Sequence, residues 1–165
     1  DMYIMGVVIQ DHYVIPSIWK NRVRSTLDYA ITASDMAIKG DDVFVVCNYN
    51  QESYYGLPCV VKNGNLYAPL NDFTTANKMA VTDTGVYVSG QTYPDWVALS
   101  WQNGKTTRLP GFTANDIAVN GEDIYVVGNY MDGAFQYGRL WKNGIAQPLN
   151  DSLAFSNITS IALRK

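Results

Sequence analysis

The hydrophobic positions of this chain fall in short runs that recur at a fixed interval. Runs of the type Ile-Tyr-Val-Val-Gly lie at 2–6, 43–47, 86–90 and 124–128. Runs of the type Leu-Trp-Lys-Asn-Gly recur every 40 to 42 residues and are centred on Trp19, Val61, Trp101 and Trp141. Runs of the type Ile-Ala-Val lie at 36–38, 79–81, 117–119 and 161–163. A period near 40 residues is typical of propellers and helical arrays.

The residue types within each run predict strands rather than helices. The runs are short, rich in Val, Ile and Tyr, and bounded by Gly, Asn or Asp, which is the pattern of β-structure. We label the Ile-Ala-Val run strand A, the Ile-Tyr-Val-Val run strand B and the Leu-Trp-Lys run strand C. The Asn-Gly pair predicts a two-residue hairpin turn, followed by strand D, which ends at Leu27, Leu70, Leu109 and Leu149.

These repeats predict an all-β fold, a β-propeller of four four-stranded antiparallel blades in one domain that spans residues 1–165. Strand B is apolar at successive positions, which predicts burial of both its faces between neighbouring blades. The repeats run approximately over 1–38, 39–81, 82–119 and 120–165.

The two ends of the chain predict how the ring closes. The chain begins in strand B and finishes in strand A. We therefore predict that C-terminal Ile161–Leu163 pairs with N-terminal Tyr3–Met5 and removes an open edge. The alternatives are that two chains together form an eight-blade ring, or that this chain is one part of a larger ring. The opening Asp1-Met2-Tyr3 also predicts that an upstream segment has been removed.

Composition and charge exclude several classes of protein. Charged residues make up 16% and hydrophobic residues 47% of the chain, which excludes a disordered tail. The net charge is −3 and the twelve basic residues are scattered, so nucleic acid is not a predicted partner. No apolar run approaches the roughly 18 residues that cross a bilayer, so the chain is predicted not to span a membrane.

The repeat carries a family resemblance. The sequence Asp-Val-Tyr-Val-x-Gly followed by Leu-Trp-Lys-Asn-Gly resembles the repeats of bacterial secreted or surface-anchored β-propeller proteins over essentially the whole chain. It departs from that pattern at Val61, Cys47 and Arg22. The resemblance implies an extracytoplasmic location, whether secreted, periplasmic or at the cell surface. It leaves function open, because propellers host many activities.

Function is predicted to lie on one face of the propeller. The B–C connections are predicted at 7–17, 48–58, 91–97 and 129–138, and the D–A connections at 28–35, 71–78, 110–116 and 150–160. Loops on a rigid scaffold commonly bind ligands. Their aromatic and polar residues could stack on a glycan or bind a protein. The predicted ligand-binding residues are Tyr13, Tyr55, Tyr93, Trp96, Tyr130, Tyr137, Asp95 and Asp132. The alternative for Tyr130 and Tyr137 is a cross-strand pair beside a turn at Asp132-Gly133.

Catalysis is not predicted. His12 is the only histidine and no nucleophile motif accompanies it. A glycan hydrolase remains an alternative, because such enzymes need only two carboxylates, and a structural spacer is another. The candidate carboxylates are Asp11, Glu52, Asp95 and Asp132. The repeated Asp28, Asp72 and Asp151, with Asp35 and Asp116, are interpreted as turn-capping residues rather than calcium ligands, so neither metal nor cofactor is predicted.

The two cysteines are predicted to be neighbours in one blade. Cys47 ends strand B and Cys59 begins strand C of the same repeat. We interpret them as buried free thiols. A disulfide in an oxidising compartment is the alternative.

Overall fold

The fold was analysed in a computed structural model that describes residues 1–28, 30–49, 56–149 and 156–164. These residues form strands and turns and contain no helix. Residues 1–71 and 72–165 form two compact units. The strands of the first unit are β1 (Tyr3–Gln10), β2 (Tyr13–Lys20), β3 (Val23–Thr26), β4 (Ala30–Lys39), β5 (Asp42–Tyr49), β6 (Leu57–Lys62) and β7 (Asn65–Pro69). Those of the second are β8 (Thr75–Thr82), β9 (Gly85–Thr92), β10 (Val97–Gln102), β11 (Lys105–Arg108), β12 (Thr113–Asn120), β13 (Asp123–Asp132), β14 (Phe135–Lys142) and β15 (Ile145–Gln147).

The strands assemble into four antiparallel sheets in chain order. Sheet 1 contains β1-β2-β3, sheet 2 β4-β5-β6-β7, sheet 3 β8-β9-β10-β11 and sheet 4 β12-β13-β14-β15. The all-β prediction and the blade-like A-B-C-D order of sheets 2 to 4 are confirmed. Among the described residues sheet 1 has three strands, which correspond to B, C and D.

The predicted Asn-Gly hairpins join strand C to strand D in sheets 2 to 4, and Asn21-Arg22 takes this place in sheet 1. Asn63 and Gly64 have φ of 49° and 81°, and the turns at Asn103 and Asn143 are alike. Two successive positive φ values give a turn whose twist matches that of the flanking strands. Sheet 1 places Arg22 at this second position with φ 72°, a conformation that glycine adopts without strain.

Each unit has its own hydrophobic core between two sheets. In the first unit the core contains Leu27 of sheet 1 together with Val45, Cys47, Cys59 and Val61 of sheet 2. In the second unit Tyr87, Ala98 and Leu109 of sheet 3 pack with Ala114, Ile117, Val126 and Trp141 of sheet 4. Face-to-face packing of apolar sheets is the largest favourable term in such folds.

Strand B is buried at successive positions where it is central in its sheet. Phe44–Cys47 in β5 and Val86–Gly90 in β9 are buried, which confirms burial of both faces for these strands. Strand β1 differs because it is an edge strand: Ile4 is 50% exposed, whereas Val126 at the same repeat position in β13 is 2% exposed.

Strand A carries the same irregularity in sheets 2 to 4. Its ladder with strand B shifts between Ala33 and Asp35, between Ala76 and Lys78, and between Ala114 and Asp116. The extra residue at each shift is Ser34, Asn77 or Asn115. Such a β-bulge inserts one unpaired residue and redirects its side chain.

Several predicted loops are wrong in their bounds. The connections predicted at 7–17 and 129–138 are two-residue turns, because β1 continues to Gln10 and β13 continues to Asp132. Alternating apolar residues such as Val8 and Ile15 extend these strands. The connections predicted at 28–35, 71–78 and 110–116 end earlier, at β4, β8 and β12. The segments predicted at 48–58 and 150–160 lie partly outside the described residues.

The described residues do not show the predicted pairing of Ile161–Leu163 with Tyr3–Met5. Strand β1 pairs with β2, and residues 156–164 carry no strand assignment. Closure of a ring therefore stays a prediction.

Candidate functional site

An aromatic pair projects from the connection between β9 and β10. Tyr93 and Trp96 lie in this four-residue connection, and their rings meet edge to face with centroids 5.4 Å apart. Trp96 adopts a left-handed backbone conformation with φ 49°. Trp96 is 40% exposed and Tyr93 60% exposed, so both offer apolar surface to a ligand.

Phe112 completes this cluster from the connection between β11 and β12. Its ring stacks on Trp96 with centroids 4.7 Å apart and planes 11° apart. The backbone holds Phe112 firmly, because its N–H donates to Asn129 O (2.7 Å) and the preceding Gly111 O accepts from Ala98 N (3.0 Å). The offset stack is therefore fixed to both sheets of the unit.

Gly111 is required by the close approach of Trp141. A Cβ at Gly111 would overlap the Trp141 ring, which is fully buried in the core of this unit. The loop can follow its path over the indole only without a side chain at this position. The position of Phe112 thus depends on a core contact directly beneath it.

A second aromatic pair comes from the hairpin of β13 and β14. Tyr130 and Tyr137 are directly opposite in the ladder and stack with centroids 5.3 Å apart. The Arg139 guanidinium lies 3.8 Å from the centre of the Tyr130 ring, within the range of a cation–π contact. The alternative prediction of a cross-strand pair is confirmed, although the turn residues are Gly133 and Ala134.

Trp96, Phe112 and Tyr130 border one groove in the second unit, which we call the aromatic groove. Its volume is about 260 Å³. The side chains along it are mostly aromatic or apolar, and main-chain groups add polar surface. The groove is lined by Trp96, Pro110, Gly111, Phe112, Tyr130 and Met131.

The other predicted site residues do not lie together in one site. Asp95 and Asp132 are exposed neighbours of Trp96 and Met131 in the chain. Tyr13 lies in the first unit, is 74% exposed, and borders another cavity of about 330 Å³ with Asp11 and Asp28. Tyr55 lies outside the described residues.

The sequence prediction missed Phe112, Pro110, Met131 and Arg139. A signal for Phe112 was present: Phe73 and Phe112 both stand three residues after the leucine that ends strand D, Leu70 or Leu109. Phe73 is buried, so the repeat alone does not reveal that Phe112 borders a groove.

The charged residues with shifted pKa values cluster at the turns between strands C and D. Lys142 Nζ lies 2.7 Å from Asp123 Oδ2, and Asn143 Nδ2 donates to Asp123 Oδ1 at 2.9 Å. The Lys142 ammonium, followed by the Asn143 amide, holds the pKa of Asp123 below its ordinary value. The hydrogen bond to Asp123 raises the pKa of Lys142.

The same cluster recurs in sheets 1 and 2, and we call it the Asp-Lys-Asn cluster. Asp42, Lys62 and Asn63 repeat its contacts, as do Asp1, Lys20 and Asn21. Sheet 3 has Gly85 and Gln102 in place of the charged pair, and there Asn103 donates to Thr84 O. Because backbone N–H groups also bond to the Asn side chains, the cluster stabilises hairpins rather than binding a ligand.

The two cysteines are buried free thiols with sulfur atoms 3.5 Å apart. The hydrogen bond with Cys59, followed by burial, raises the pKa of the Cys47 thiol. No group of three His, Cys, Asp or Glu side chains is placed to hold a metal ion within the described residues. Asp116, one of the residues considered for calcium, instead accepts from the N–H of Ile117 (2.8 Å) and of Ile161 (2.9 Å).

The fold and the groove define an all-β protein of four antiparallel sheets with an aromatic surface at its strand connections. The chain matches no protein-family model, and no curated protein matches its sequence. In the part of the chain that the structure describes, no helix has the length and apolar character needed to cross a membrane.

Proposed function

We propose that this chain is a non-catalytic β-propeller module that binds a glycan or a protein on the face formed by its B–C and D–A connections. The observation that carries the proposal is the stack of the exposed Trp96 ring on the half-buried Phe112 ring. Large aromatic rings left partly in water contribute binding free energy when a ligand covers them, at about 25 cal/mol per Å² of buried apolar area.

The propeller arrangement itself is part of this proposal. It is supported by the repeated A-B-C-D sheets and by apolar cores between successive sheets of each unit. We propose that the ring closes within one chain when strand A at Ile161–Leu163 pairs with strand B at Tyr3–Met5. The family resemblance of the repeats supports an extracytoplasmic location.

The lining of the aromatic groove favours a protein segment over a glycan. Sugar hydroxyls need several polar partners, and burying them without partners costs about 1–3 kcal/mol each. The side chains of Pro110, Phe112 and Met131 offer none, so only main-chain groups and Tyr130 or Trp96 could serve. Apolar side chains of a protein ligand would meet this surface without that cost.

Binding is tested with immobilised surface-protein fragments and a glycan array, each probed with the wild-type chain. We expect Trp96→Ala and Phe112→Ala each to weaken the binding found by about 10- to 100-fold, as removal of a central aromatic does at interfaces. The matched control is Ile145→Ala, because Ile145 is an exposed apolar residue of the same unit that does not line the groove.

The competing hydrolase is tested on the same glycans by release of reducing ends. Turnover that disappears in Asp95→Asn or Asp132→Asn would overturn the binding proposal. Binding that survives both aromatic substitutions would show that the aromatic groove is not the site.

A further inference from the structure

The chain contains four Asn-Gly pairs, and each lies at a turn between two strands. They begin at Asn63, Asn103, Asn120 and Asn143. All four asparagines are exposed, so contact with water does not distinguish them. An asparagine side chain before glycine is readily attacked by the next main-chain nitrogen, because glycine has no side chain to shield that nitrogen. What holds each asparagine side chain in place therefore decides where this attack occurs.

Three of the four side chains are held by hydrogen bonds at both the oxygen and the nitrogen of the amide. Asn63 Oδ1 accepts from Val43 N at 2.8 Å, and Asn63 Nδ2 donates to Asp42 Oδ1 at 2.7 Å. Asn103 and Asn143 make the same pair of bonds to groups at, or just before, the start of strand B in their own sheets. Each of these side chains must lose both bonds before it can turn toward the nitrogen that follows it.

Asn120 has neither of these restraints. It is the last residue of β12 and lies opposite Asp123 across the turn to β13. Its side chain forms no hydrogen bond within the part of the chain that the structure describes. The next residue, Gly121, has φ 61°, and a Cβ there would meet nothing within 4 Å. The turn is therefore open around the nitrogen that would attack.

From this difference we infer that Asn120 is the site at which the folded chain deamidates, independently of any ligand at the aromatic groove. The Gly121 nitrogen forms a bond to Cγ of Asn120. The bond from Cγ to Nδ2 breaks, and ammonia leaves with the proton that the Gly121 nitrogen gives up. Water then opens the cyclic imide at either of its two carbonyl groups, which yields aspartate or isoaspartate.

The products change the hairpin of β12 and β13 in two ways. A carboxylate at position 120 stands directly opposite Asp123, and like charges on opposite residues of a ladder are destabilising. Isoaspartate also adds a methylene group to the main chain where β12 ends. Asp123 binds Lys142 and Asn143, so the modified turn lies beside the Asp-Lys-Asn cluster that stabilises this sheet.

Peptide mapping by mass spectrometry on the full chain measures the deamidation rate at each of the four pairs. The chain is incubated at mildly alkaline pH, once in buffer and once in denaturing urea, where each pair serves as its own unfolded control. We expect the ratio of the folded to the unfolded rate to be about 5- to 100-fold higher at Asn120 than at the other three sites, because two hydrogen bonds protect each of those.

Equal ratios at the four sites, or a higher ratio at any of the other three, would overturn the inference. Isoelectric focusing gives a second readout on the intact chain. We expect the acidic species that accumulates first in the folded wild type to be absent from Asn120→Ser. Its persistence at the same rate in that variant would also overturn the inference.

Removing one hydrogen bond tests why the other sites are protected. Asp42→Ala removes the acceptor of the Asn63 amide, and we expect the rate at Asn63 to rise about 3- to 10-fold while the rate at Asn120 is unchanged. The matched control is Asp41→Ala, because Asp41 is an exposed carboxylate of the same hairpin. An unchanged rate at Asn63 in Asp42→Ala, or an equal rise in both variants, would overturn hydrogen bonding as the reason that Asn120 differs.

Discussion

At the residue scale, the repeat shows which positions the fold constrains and which it tolerates. Arg22 occupies a position with φ 72° where the corresponding turns of the other sheets have Gly64, Gly104 and Gly144. A side chain in this conformation costs about 1–2 kcal/mol. The sequence identified Arg22 as a departure from the repeat, and the positive φ at this residue shows that the departure strains the backbone.

We expect Arg22→Gly to raise the free energy of unfolding by about 1 kcal/mol, because glycine adopts positive φ without strain. Urea denaturation measures the change. The reciprocal variant is Gly104→Arg, at a position where a Cβ would meet nothing within 4 Å. Its free energy of unfolding should fall by a similar amount. An unchanged or lowered stability of Arg22→Gly would show that the backbone at Arg22 is not strained.

Asp123 gives a prediction for pH at the same scale. Its pKa is lowered in the folded chain from the ordinary 3.8, so its contribution to stability is present above the unfolded pKa and is lost as pH falls through the folded pKa. We expect Asp123→Asn to be less stable than wild type at neutral pH, with the difference shrinking below about pH 4.

Thermal unfolding between pH 2 and pH 7 measures this difference for Asp123→Asn. The control is Asp132→Asn, since Asp132 is an exposed carboxylate with no salt bridge to the described residues. A pH-independent difference for Asp123→Asn would show that Lys142 and Asn143 do not act on the ionised carboxylate.

At the element scale, the connections between strands, rather than the strands, decide the shape of the candidate site. Strand existence followed from periodicity, because Val, Ile and Tyr runs bounded by Asn-Gly have few alternatives. The bounds of the connections did not, since Val7–Gln10 and Tyr13–Pro16 continue a ladder that local sequence cannot reveal.

The site was predictable in part for the same reason. Tyr93 and Trp96 stood in a connection flanked by clear strands, so their exposure could be predicted. Phe112 could not be assigned to the groove, because its stack on Trp96 is a contact between distant parts of the chain. The equivalent Phe73 is buried.

Gly111 links the connection to the core, and its substitution is expected to be costly. We expect Gly111→Ala to lower the free energy of unfolding by about 1–3 kcal/mol, because the new methyl group overlaps Trp141. It should also increase solvent quenching of tryptophan fluorescence. An unchanged free energy of unfolding for Gly111→Ala would contradict the steric explanation.

At the scale of the whole molecule, the proposed propeller must supply a fourth strand to sheet 1. Among the described residues three sheets have four strands and sheet 1 has three. A ring closed within one chain satisfies this need with a single spare strand, as propellers of four or more blades do. A ring of two chains would also supply this strand, but bringing two chains together costs free energy.

We expect the chain to be a monomer of 18.4 kDa in solution, because the closure within the chain that we propose would leave no strand to exchange. Light scattering during size-exclusion chromatography measures this mass over a range of concentrations. A stable species of about twice the mass at low micromolar concentration would instead indicate that two chains share their strands.

The uncovered edge of β1 has a consequence for handling the protein. Ile4, Val7 and Ile9 are exposed along this strand, and a free apolar edge is a template on which further strands add. If the proposed closure covers this edge in the intact polypeptide, preparations shortened after Asn157 should turn cloudy and bind amyloid dyes on standing, while the intact polypeptide stays clear.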